Sequence, residues 1–439
     1  MAGGVENLQW LFTGTFVATL VALPVFGTIA ARVRRRRILP WTYAFFGSHL
    51  ALFAAGFSAD PDNIFFARSF YIWISVFNML TISVAWSVLA DVFSVDQAKR
   101  LFALTAAGAS LGGLTGPLLA IQLVEPVGHG GLMWLSLLFL AGSASAAFAL
   151  QRWRDARPFG PDEALAHARP LGGSPFAGAT AVLRSPYLLG IGLFVLLLAS
   201  VTTFLYFEQA RLVAATFDDP VAQTRVFGTL DAVVQTLAIL TQLFFTGRLA
   251  RRLGVGVLLV AVPVVVAAGF LWLAVAPVFA VFAVVMVVRR AGEYALVRPG
   301  REMLFTVLPS EAKYKAKNFI DTVVYRGADA VGAWVKAGVD LLASHPAIAA
   351  VLGAAIALAW AATGGGLARA HGRRARELDG VAAGPGPAPA SPPTPLRAAP
   401  EHHASRHLAA PGCATTASGM RRVRAVRRPP VRCRLTRHA

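Results

Sequence analysis

The sequence predicts an all-α polytopic membrane protein with about eleven transmembrane helices arranged as two pseudo-repeated bundles. Three observations support this prediction. The 439 residues are 56% hydrophobic with a mean hydropathy of +0.60, well above the roughly 45–50% apolar share of soluble domains. Apolar stretches long enough to cross a bilayer recur along the chain, and basic residues accumulate in every second connection. A water-soluble globular fold is therefore excluded.

Each predicted span is a mostly apolar stretch of about 17 to 28 residues, enough to cross a hydrocarbon core of about 30 Å as a helix. In chain order the spans are residues 8–32, 38–57, 69–94, 101–123, 132–151, 187–212, 226–247, 254–274, 276–297, 319–343 and 347–366. The first stretch lacks a positively charged start and a small-residue cleavage site, so we expect a true span rather than a signal peptide.

The loops predict the orientation, because short loops rich in lysine and arginine stay in the cytoplasm. One set of connections holds basic clusters within residues 34–37, 99–100, 152–184, 248–252 and 298–317. The alternate set is mainly acidic, with Asp60, Asp62, Glu125, Asp218 and Asp219 against Arg68 and Arg225. We therefore expect the amino terminus outside and the carboxyl terminus in the cytoplasm.

The last part of the chain, residues 367–439, is predicted to be a disordered basic tail. It is rich in Pro, Ala and Arg without periodicity, a composition typical of disorder. Its 14 arginines against three acidic residues supply +11 of the net charge of +19. Both cysteines, Cys413 and Cys433, lie here, so no disulfide framework is expected. No specific nucleic-acid partner is predicted, although a contact with anionic lipid or nucleic acid is open.

Two pairs of segments indicate that the chain contains duplicated halves. The segment "GTIAARVR" from residue 27 resembles "GRLARRLG" from residue 247, and "AKRLFALTAAGAS" from residue 98 resembles "AKNFIDTVVYRGAD" from residue 316. The two offsets, 220 and 218 residues, nearly agree. We therefore predict an amino-terminal bundle of five spans (1–151), a cytoplasmic linker (152–186) and a carboxyl-terminal bundle of six spans (187–366).

These segments resemble the major facilitator architecture. The patterns Gly27-x-x-Ala30-x-Arg32 and Gly247-x-x-Ala250-x-Arg252-x-Gly254 look like the cytoplasmic loop motif of that family. Ala31 and Arg251 stand where the family has Asp, a departure that weakens the usual gating salt bridge. By resemblance, the residues expected at a cytoplasmic gate are Arg32, Arg252, Lys99 and Arg100.

Two longer stretches are more specific. The stretches "DVFSVDQAKRLFALTAAGASLGGLTGP" and "REMLFTVLPSEAKYKAKNFIDTVVYR" resemble the ATP:ADP antiporter (nucleotide transporter) family, over about residues 1–370. The resemblance implies a multi-pass protein of a bacterial inner (cell) membrane, whose first span corresponds to the second helix of the family. It implies alternating access, with nucleotides or another phosphorylated organic anion exchanged across the membrane.

The span from residue 319 carries an unusual number of charges. Asp321, Asp329, Lys336 and Asp340 fall within about 100° of arc on a helical wheel, with Arg326 at the edge. Charges inside a bilayer are expensive and face protein or water. We therefore predict a polar stripe toward the bundle interior.

The preceding span ends in a second cluster of charges. Arginine binds phosphate oxygens in a bidentate manner, so an excess of cations along a cavity would select a polyanion. Together with the stripe, this cluster gives the predicted substrate-binding residues: Arg289, Arg290, Glu293, Arg301, Lys317, Asp321, Arg326, Asp329, Lys336 and, from an earlier span, Asp231. The alternative is that these charges only neutralise one another.

Other features leave alternatives open. Tyr71, Trp73, Phe77 and Trp86 could stack a base or only fill the bilayer. The glycine row Gly108, Gly112 and Gly116 predicts close helix packing. The letters Gly108-x-Ser110-x-Gly112 also match a nucleophile elbow, but that motif requires a strand and a hydrolase sheet, so we predict no enzyme.

Neither a phosphate-binding loop nor a metal-ligand spacing is present in the sequence, so no cofactor or metal is predicted. We expect a monomer in the lipid bilayer with a small anion as substrate. Two other hypotheses stay open. One is a scaffold or sensor that has kept a transporter fold without transporting a substrate, and the other is a transporter of another organic anion or a drug-like cation. For a cation, Asp231 and Glu293 would matter more than the arginines.

Overall fold

The computed structural model describes residues 7–32, 35–92, 95–156, 177–309, 316–342 and 346–382. Within these ranges the chain is made of helices and short turns and contains no strand. The first group of helices consists of α1 (Leu8–Arg32), α2 (Arg35–Ala59), α3 (Ile64–Val92) and α4 (Val95–Asp155). Helix α4 is broken at Gly128, whose φ of 66° and ψ of −178° belong to a region that is essentially restricted to glycine.

The second group of helices follows the segment 157–176. It consists of α5 (Ala177–Arg184), α6 (Pro186–Thr216), α7 (Pro220–Thr241), α8 (Gly247–Val275), α9 (Phe279–Gly292), α10 (Arg298–Leu304), α11 (Tyr325–Leu342) and α12 (Pro346–Ala382). Helix α8 is broken at Gly254, where φ is 74° and ψ is −177°. This is the last residue of the repeated segment "GRLARRLG", so the chain turns where the predicted cytoplasmic loop lies.

Three π-helical segments interrupt the helices of the second group. Gln242–Thr246 joins α7 to α8, Glu293–Val297 joins α9 to α10, and Ile320–Val324 leads from the helical residues 316–319 into α11. A π segment places one extra residue in a turn and is found frequently at functional sites. Each therefore shifts the angular position of every residue that follows it on its helix.

Helix starts in the second group have the expected capping chemistry. The Ser185 side chain accepts a hydrogen bond from the backbone N–H of Leu188, and Pro186 opens α6. The Asp219 carboxylate accepts from the N–H groups of Val221 and Ala222, before α7. Side-chain caps satisfy the unpaired donors of a first turn, and proline is favoured at its first position.

The structure confirms an all-α polytopic arrangement, with a helix at each of the eleven predicted spans. By length and composition alone, six stretches of the described chain could cross a membrane, and the two longest contain the breaks at Gly128 and Gly254. One end differs from prediction: α12 runs to Ala382, so residues 367–382, assigned to the disordered tail, are helical. The arginines that mark a tail by composition are also good helix formers.

Each group of helices contains an apolar core of its own. In the first group, Tyr43, Leu50, Val84 and Leu140 are buried together. In the second group the fully buried side chains include Phe194, Phe204, Phe270, Phe282 and Trp360. Two separate cores are what two bundles would produce, but the boundaries at 151 and 187 remain a prediction.

The two groups meet at the end predicted to be extracellular, called the outer end below. There α1 packs on α11, with the Trp10 and Trp334 rings 4.9 Å apart and the Trp334 indole donating to Thr13 Oγ1 at 3.0 Å. Helix α4 packs on α7, where a Cβ added to Gly228 would lie 2.7 Å from Ile121 Cγ1 and 3.2 Å from the Pro117 carbonyl oxygen. Glycine is therefore needed for this close approach.

Candidate functional site

An open cavity of about 680 Å³ lies between the two groups of helices. Helices α1 and α3 contribute one wall, and α6, α10, α11 and two of the π segments contribute the other. The lining residues are Phe12, Tyr71, Met79, Leu198, Thr202, Thr203, Tyr206, Glu293, Val297, Arg298, Arg301, Glu302, Asp321, Thr322, Tyr325, Arg326 and Asp329. Its volume is in the range that binds drug-sized molecules, about 300–1,000 Å³.

Five of the ten predicted substrate-binding residues line this cavity: Glu293, Arg301, Asp321, Arg326 and Asp329. The structure therefore brings charges from two predicted spans to one surface. Arg298 joins them, a residue that sequence reasoning had attributed to the positive-inside bias of the loops.

The π segments explain how these residues share one wall. Glu293 and Arg298 are five positions apart, as are Asp321 and Arg326. On a regular α-helix five positions correspond to about 140° of rotation away from the starting face. The wider turn of a π segment reduces that angle, so both members of each pair face the cavity.

Side chains from the neighbouring helix satisfy the backbone of one π segment. The Gln242 amide donates to the carbonyl of Tyr294 at 3.0 Å, and the Thr246 hydroxyl donates to the carbonyl of Ala295 at 2.8 Å. Gln242 and Thr246 themselves delimit another π segment. Side chains of one irregular turn thus satisfy backbone carbonyl groups of the other, which a regular helix would have paired.

Three arginines on the cavity wall are held by long ion pairs. The closest N–O distance is 3.2 Å for Arg301 with Asp321, 3.5 Å for Arg326 with Asp329 and 3.7 Å for Arg298 with Glu293. Asp321 Oδ1 makes no hydrogen bond within the described part of the chain despite its pairing. Short charge-assisted hydrogen bonds lie near 2.7–2.9 Å, so these guanidinium groups can still donate stronger hydrogen bonds to a ligand.

Part of the cavity lining is aromatic. Phe12 lies 5.6 Å from the ring of Tyr206 and 6.2 Å from that of Tyr71, and Tyr325 completes the surface. The cavity therefore presents charged groups from α10, α11 and the π segments and an aromatic group from α1, α3, α6 and α11.

Arg289, Arg290 and Asp231 do not line the cavity. Arg289 is 4% exposed and donates at 2.9 Å both to Glu293 Oε2 and to Thr202 Oγ1. It supports the wall from behind, because both of its acceptors belong to lining residues. Arg290 forms an ion pair with Asp231 that joins α9 to α7.

Lys317 and Lys336 are also placed away from the lining. Lys317 is paired at 2.5 Å with Glu302, which lines the cavity. Lys336 is 2% exposed and contacts Glu208 at 3.1 Å and both carboxylate oxygens of Asp340 at 2.5 and 2.6 Å. The 100° wheel grouped Lys336 with Asp321 because it ignored the extra residue of the π segment between them.

The predicted gate and packing residues have mixed outcomes. Arg252 is exposed on α8, whereas the side chains of Arg32, Lys99 and Arg100 lie outside those that the structure describes. A Cβ added to Gly108, Gly112 or Gly116 would meet no atom within 4 Å. The close approach on α4 occurs instead at Gly113, against the Gln235 side chain at 2.8 Å, because a different face of α4 meets α7.

Sequence reasoning missed several lining residues. Thr202 and Thr203 are adjacent hydroxyls in an otherwise apolar span, a signal that could have been noticed. Tyr206 and Phe12 are indistinguishable from other aromatics of membrane helices. Of the aromatic candidates, Tyr71 lines the cavity, whereas Trp73 and Phe77 stack on each other at 5.0 Å within the first group of helices. Trp86 lies outside the described side chains.

Comparisons with known proteins show a family match and two similar crystal structures. The Major Facilitator Superfamily matches residues 3–297, more than half of the chain. The crystal structure of the human organic anion transporter MFSD10 (TETRAN) is similar with a TM-score of 0.52 and 17% identity, covering 82% of this chain and 83% of that one. The crystal structure of a point mutant of the nucleoside transporter NupG gives a TM-score of 0.52 and 14% identity, covering 84% of this chain and 91% of that one. No curated protein sequence matches the chain.

Proposed function

Because this chain belongs to the Major Facilitator Superfamily, we propose that it is a secondary transporter that exchanges nucleotides, or another phosphorylated organic anion, by alternating access. Membership supports a transporter rather than an enzyme. The identities of 17% and 14% to the structural neighbours bear on the fold alone. The substrate class must therefore be argued from the cavity itself.

The observation that carries the proposal is the set of long ion pairs on the cavity wall. Arg298, Arg301 and Arg326 each face the cavity and each lie 3.2 to 3.7 Å from a carboxylate. Guanidinium groups bind phosphate oxygens through two parallel hydrogen bonds. An entering phosphate can therefore take over these donors, and the carboxylates take them back when it leaves.

The dimensions of the cavity suit a molecule with an anionic end and a flat end. Arg301 pairs with Asp321 and Arg326 pairs with Asp329, and these two carboxylates are about 12 Å apart along a helix at about 1.5 Å per residue. Phe12, Tyr71 and Tyr206 line the same cavity. Stacking of a base on aromatic rings is favourable, so a nucleotide would have its phosphates at the arginines and its base at the rings.

The closed outer end supports alternating access. The outer end is held by α1 on α11 and by α4 on α7, including the His129–Thr224 contact at 3.0 Å. Arg298, Arg301 and Glu302 lie just beyond the end of the predicted span 276–297, on the opposite, predicted cytoplasmic side. In the proposed cycle the empty carrier keeps its charges paired, and a bound anion replaces the carboxylates before the two groups of helices rock to the outward-open state.

The decisive experiment is uptake of radiolabelled ATP into proteoliposomes with and without internal ADP. We expect uptake that depends on internal ADP, and a loss of at least about tenfold in Arg301→Gln and Arg326→Gln, since each removes a charge-assisted contact worth about 1.5–3 kcal/mol. Arg248→Gln, on an exposed part of α8, is the matched control and should transport normally. Equal uptake by all four proteins would contradict the assignment of the arginines.

A cationic substrate is the second candidate, and one observation favours it. The cavity lining contains four carboxylates, Glu293, Glu302, Asp321 and Asp329, against three arginines. If labelled organic cations are taken up and ATP is not, with Asp329→Asn more damaging than Arg326→Gln, the anion proposal is wrong. Absence of transport of either class would favour the scaffold interpretation, in which the ion pairs stay locked.

A further inference from the structure

A second large cavity lies outside the transport site, between the start of α6 and the carboxyl-terminal part of α12. Its volume is about 630 Å³. One wall is formed by small or apolar residues, which are Pro186 and Gly190 from α6 and Gly366, Leu367 and Ala370 from α12. The groove therefore offers a smooth, apolar channel at the predicted cytoplasmic ends of two spans.

The far end of this groove is strongly basic. Arg373 and Arg374 line it together with Glu377, and Arg369 and Arg376 are exposed on neighbouring turns of α12. Within the described residues neither Arg373 nor Arg374 makes an ion pair. Four arginines against one carboxylate leave an excess positive charge beside the apolar wall.

One of these arginines is held in place. The Arg374 guanidinium lies 4.2 Å from the centre of the Tyr187 ring, a cation–π geometry. Tyr187 is buried, and its hydroxyl donates to the carbonyl of Leu304 at 2.8 Å. The tyrosine is thereby fixed at the junction of α6 and α10, so the guanidinium above it is positioned before any ligand binds.

The height of the basic end matches the headgroup layer. Arg373 lies about 10 Å beyond the predicted end of the span at residue 366, at 1.5 Å per residue. The headgroup layer extends roughly 5–8 Å beyond the hydrocarbon core. Side chains on a helix lean toward its amino terminus, which for α12 is the direction of the membrane, and this closes the remaining distance.

We propose that this groove binds the headgroup of an anionic phospholipid of the cytoplasmic leaflet. Arg373 and Arg374 bind the phosphate oxygens, and an acyl chain lies along Gly190, Gly366 and Leu367. Basic pockets between membrane helices on the cytoplasmic side recognise such headgroups through charge. The groove does not communicate with the transport site through any shared lining residue, so the proposal stands independently of the transported substrate.

The test is native mass spectrometry of the full chain in a neutral detergent, titrated with phosphatidylglycerol or with phosphatidylcholine. We expect the unaltered chain to bind phosphatidylglycerol in preference. Arg373→Gln/Arg374→Gln should weaken that binding about tenfold. Gly366→Leu keeps every charge, adds a good helix former and fills the groove, where a Cβ now meets nothing within 4 Å, so it should weaken binding similarly. The basic tail is identical in all variants.

The matched control is Arg248→Gln/Arg251→Gln, which removes two exposed arginines from α8 on the same predicted side. It should stay within about twofold of the unaltered chain. Equal affinity for both lipids, or equal loss in the control, would overturn the proposal. Displacement of the lipid by an equimolar amount of inorganic phosphate would show that the groove takes a soluble anion, and would overturn the lipid assignment.

Discussion

Replacing Lys336 with methionine should lower the stability of the protein and leave substrate affinity unchanged. Removing one partner of a buried ion pair costs about 3–5 kcal/mol, and the Lys336 residue is 2% exposed. Two features reduce the cost. Glu208 keeps a bond to Arg211 at 2.7 Å, and the Asp340 side chain is 46% exposed. We therefore expect the free energy of unfolding to fall by about 2–3 kcal/mol, which is less than the cost for a fully buried pair.

The stability assay is denaturant-induced unfolding in detergent micelles, followed by tryptophan fluorescence. A double-mutant cycle with Glu208→Gln should give a coupling energy of about 1–2 kcal/mol, because the two side chains are in contact. The transport assay is the KM for ATP in proteoliposomes. A KM raised tenfold in Lys336→Met, with unfolding unchanged, would refute this reasoning and restore Lys336 to the substrate site, where its sequence placed it.

Three further predictions concern the backbone and the outer end. Gly228→Ala should lower the free energy of unfolding by about 1–3 kcal/mol through overpacking, since a carbonyl oxygen of α4 lies 3.2 Å from the added carbon. It should also increase maleimide labelling of a cysteine introduced at Thr224. Gly116→Ala should change neither the stability nor the labelling. Trp334→Phe removes the indole hydrogen bond to Thr13 and should cost about 1 kcal/mol. Thr13→Val should then cost less in that chain than in the unaltered protein, because only the bond of Thr13 to the Gln9 carbonyl is left to lose. Gly254→Ala should cost about 1–3 kcal/mol, measured as a lower midpoint of unfolding; an unchanged midpoint would show that the turn there does not need a positive φ.

The positions of the helices could be predicted from sequence because bilayer thickness sets a length scale that apolar runs must meet. The span at residues 8–32 coincides with α1, and the long apolar run of residues 187–212 lies within α6. The end of α12 could not be predicted the same way, because beyond residue 366 the chain no longer has to be apolar. Composition alone cannot separate an exposed arginine-rich helix from a disordered tail.

The candidate site was predicted in part. Charge inside a span identified Asp321, Arg326 and Asp329, because a bilayer excludes unpaired charges. The wheel then failed at Lys336, since a hidden π turn lies between Asp321 and that residue. The glycine row on α4 failed for a related reason: small residues show where helices can approach, and the partner helix decides which face is used, here that of Gly113.

The π turn before α11 also divides that helix mechanically into two parts with different tasks. Beyond the turn, Lys336 anchors the outer part to α6, while Asp321 within the turn faces the cavity. A π turn can be moved along a helix by exchanging one hydrogen bond at a time, and each residue it passes rotates by about 100°. The charges facing the cavity can thus be redirected without disturbing the outer anchor. In such a design, a single-residue deletion within 320–324 would be more damaging than most substitutions, because it would fix the rotation of one part relative to the other.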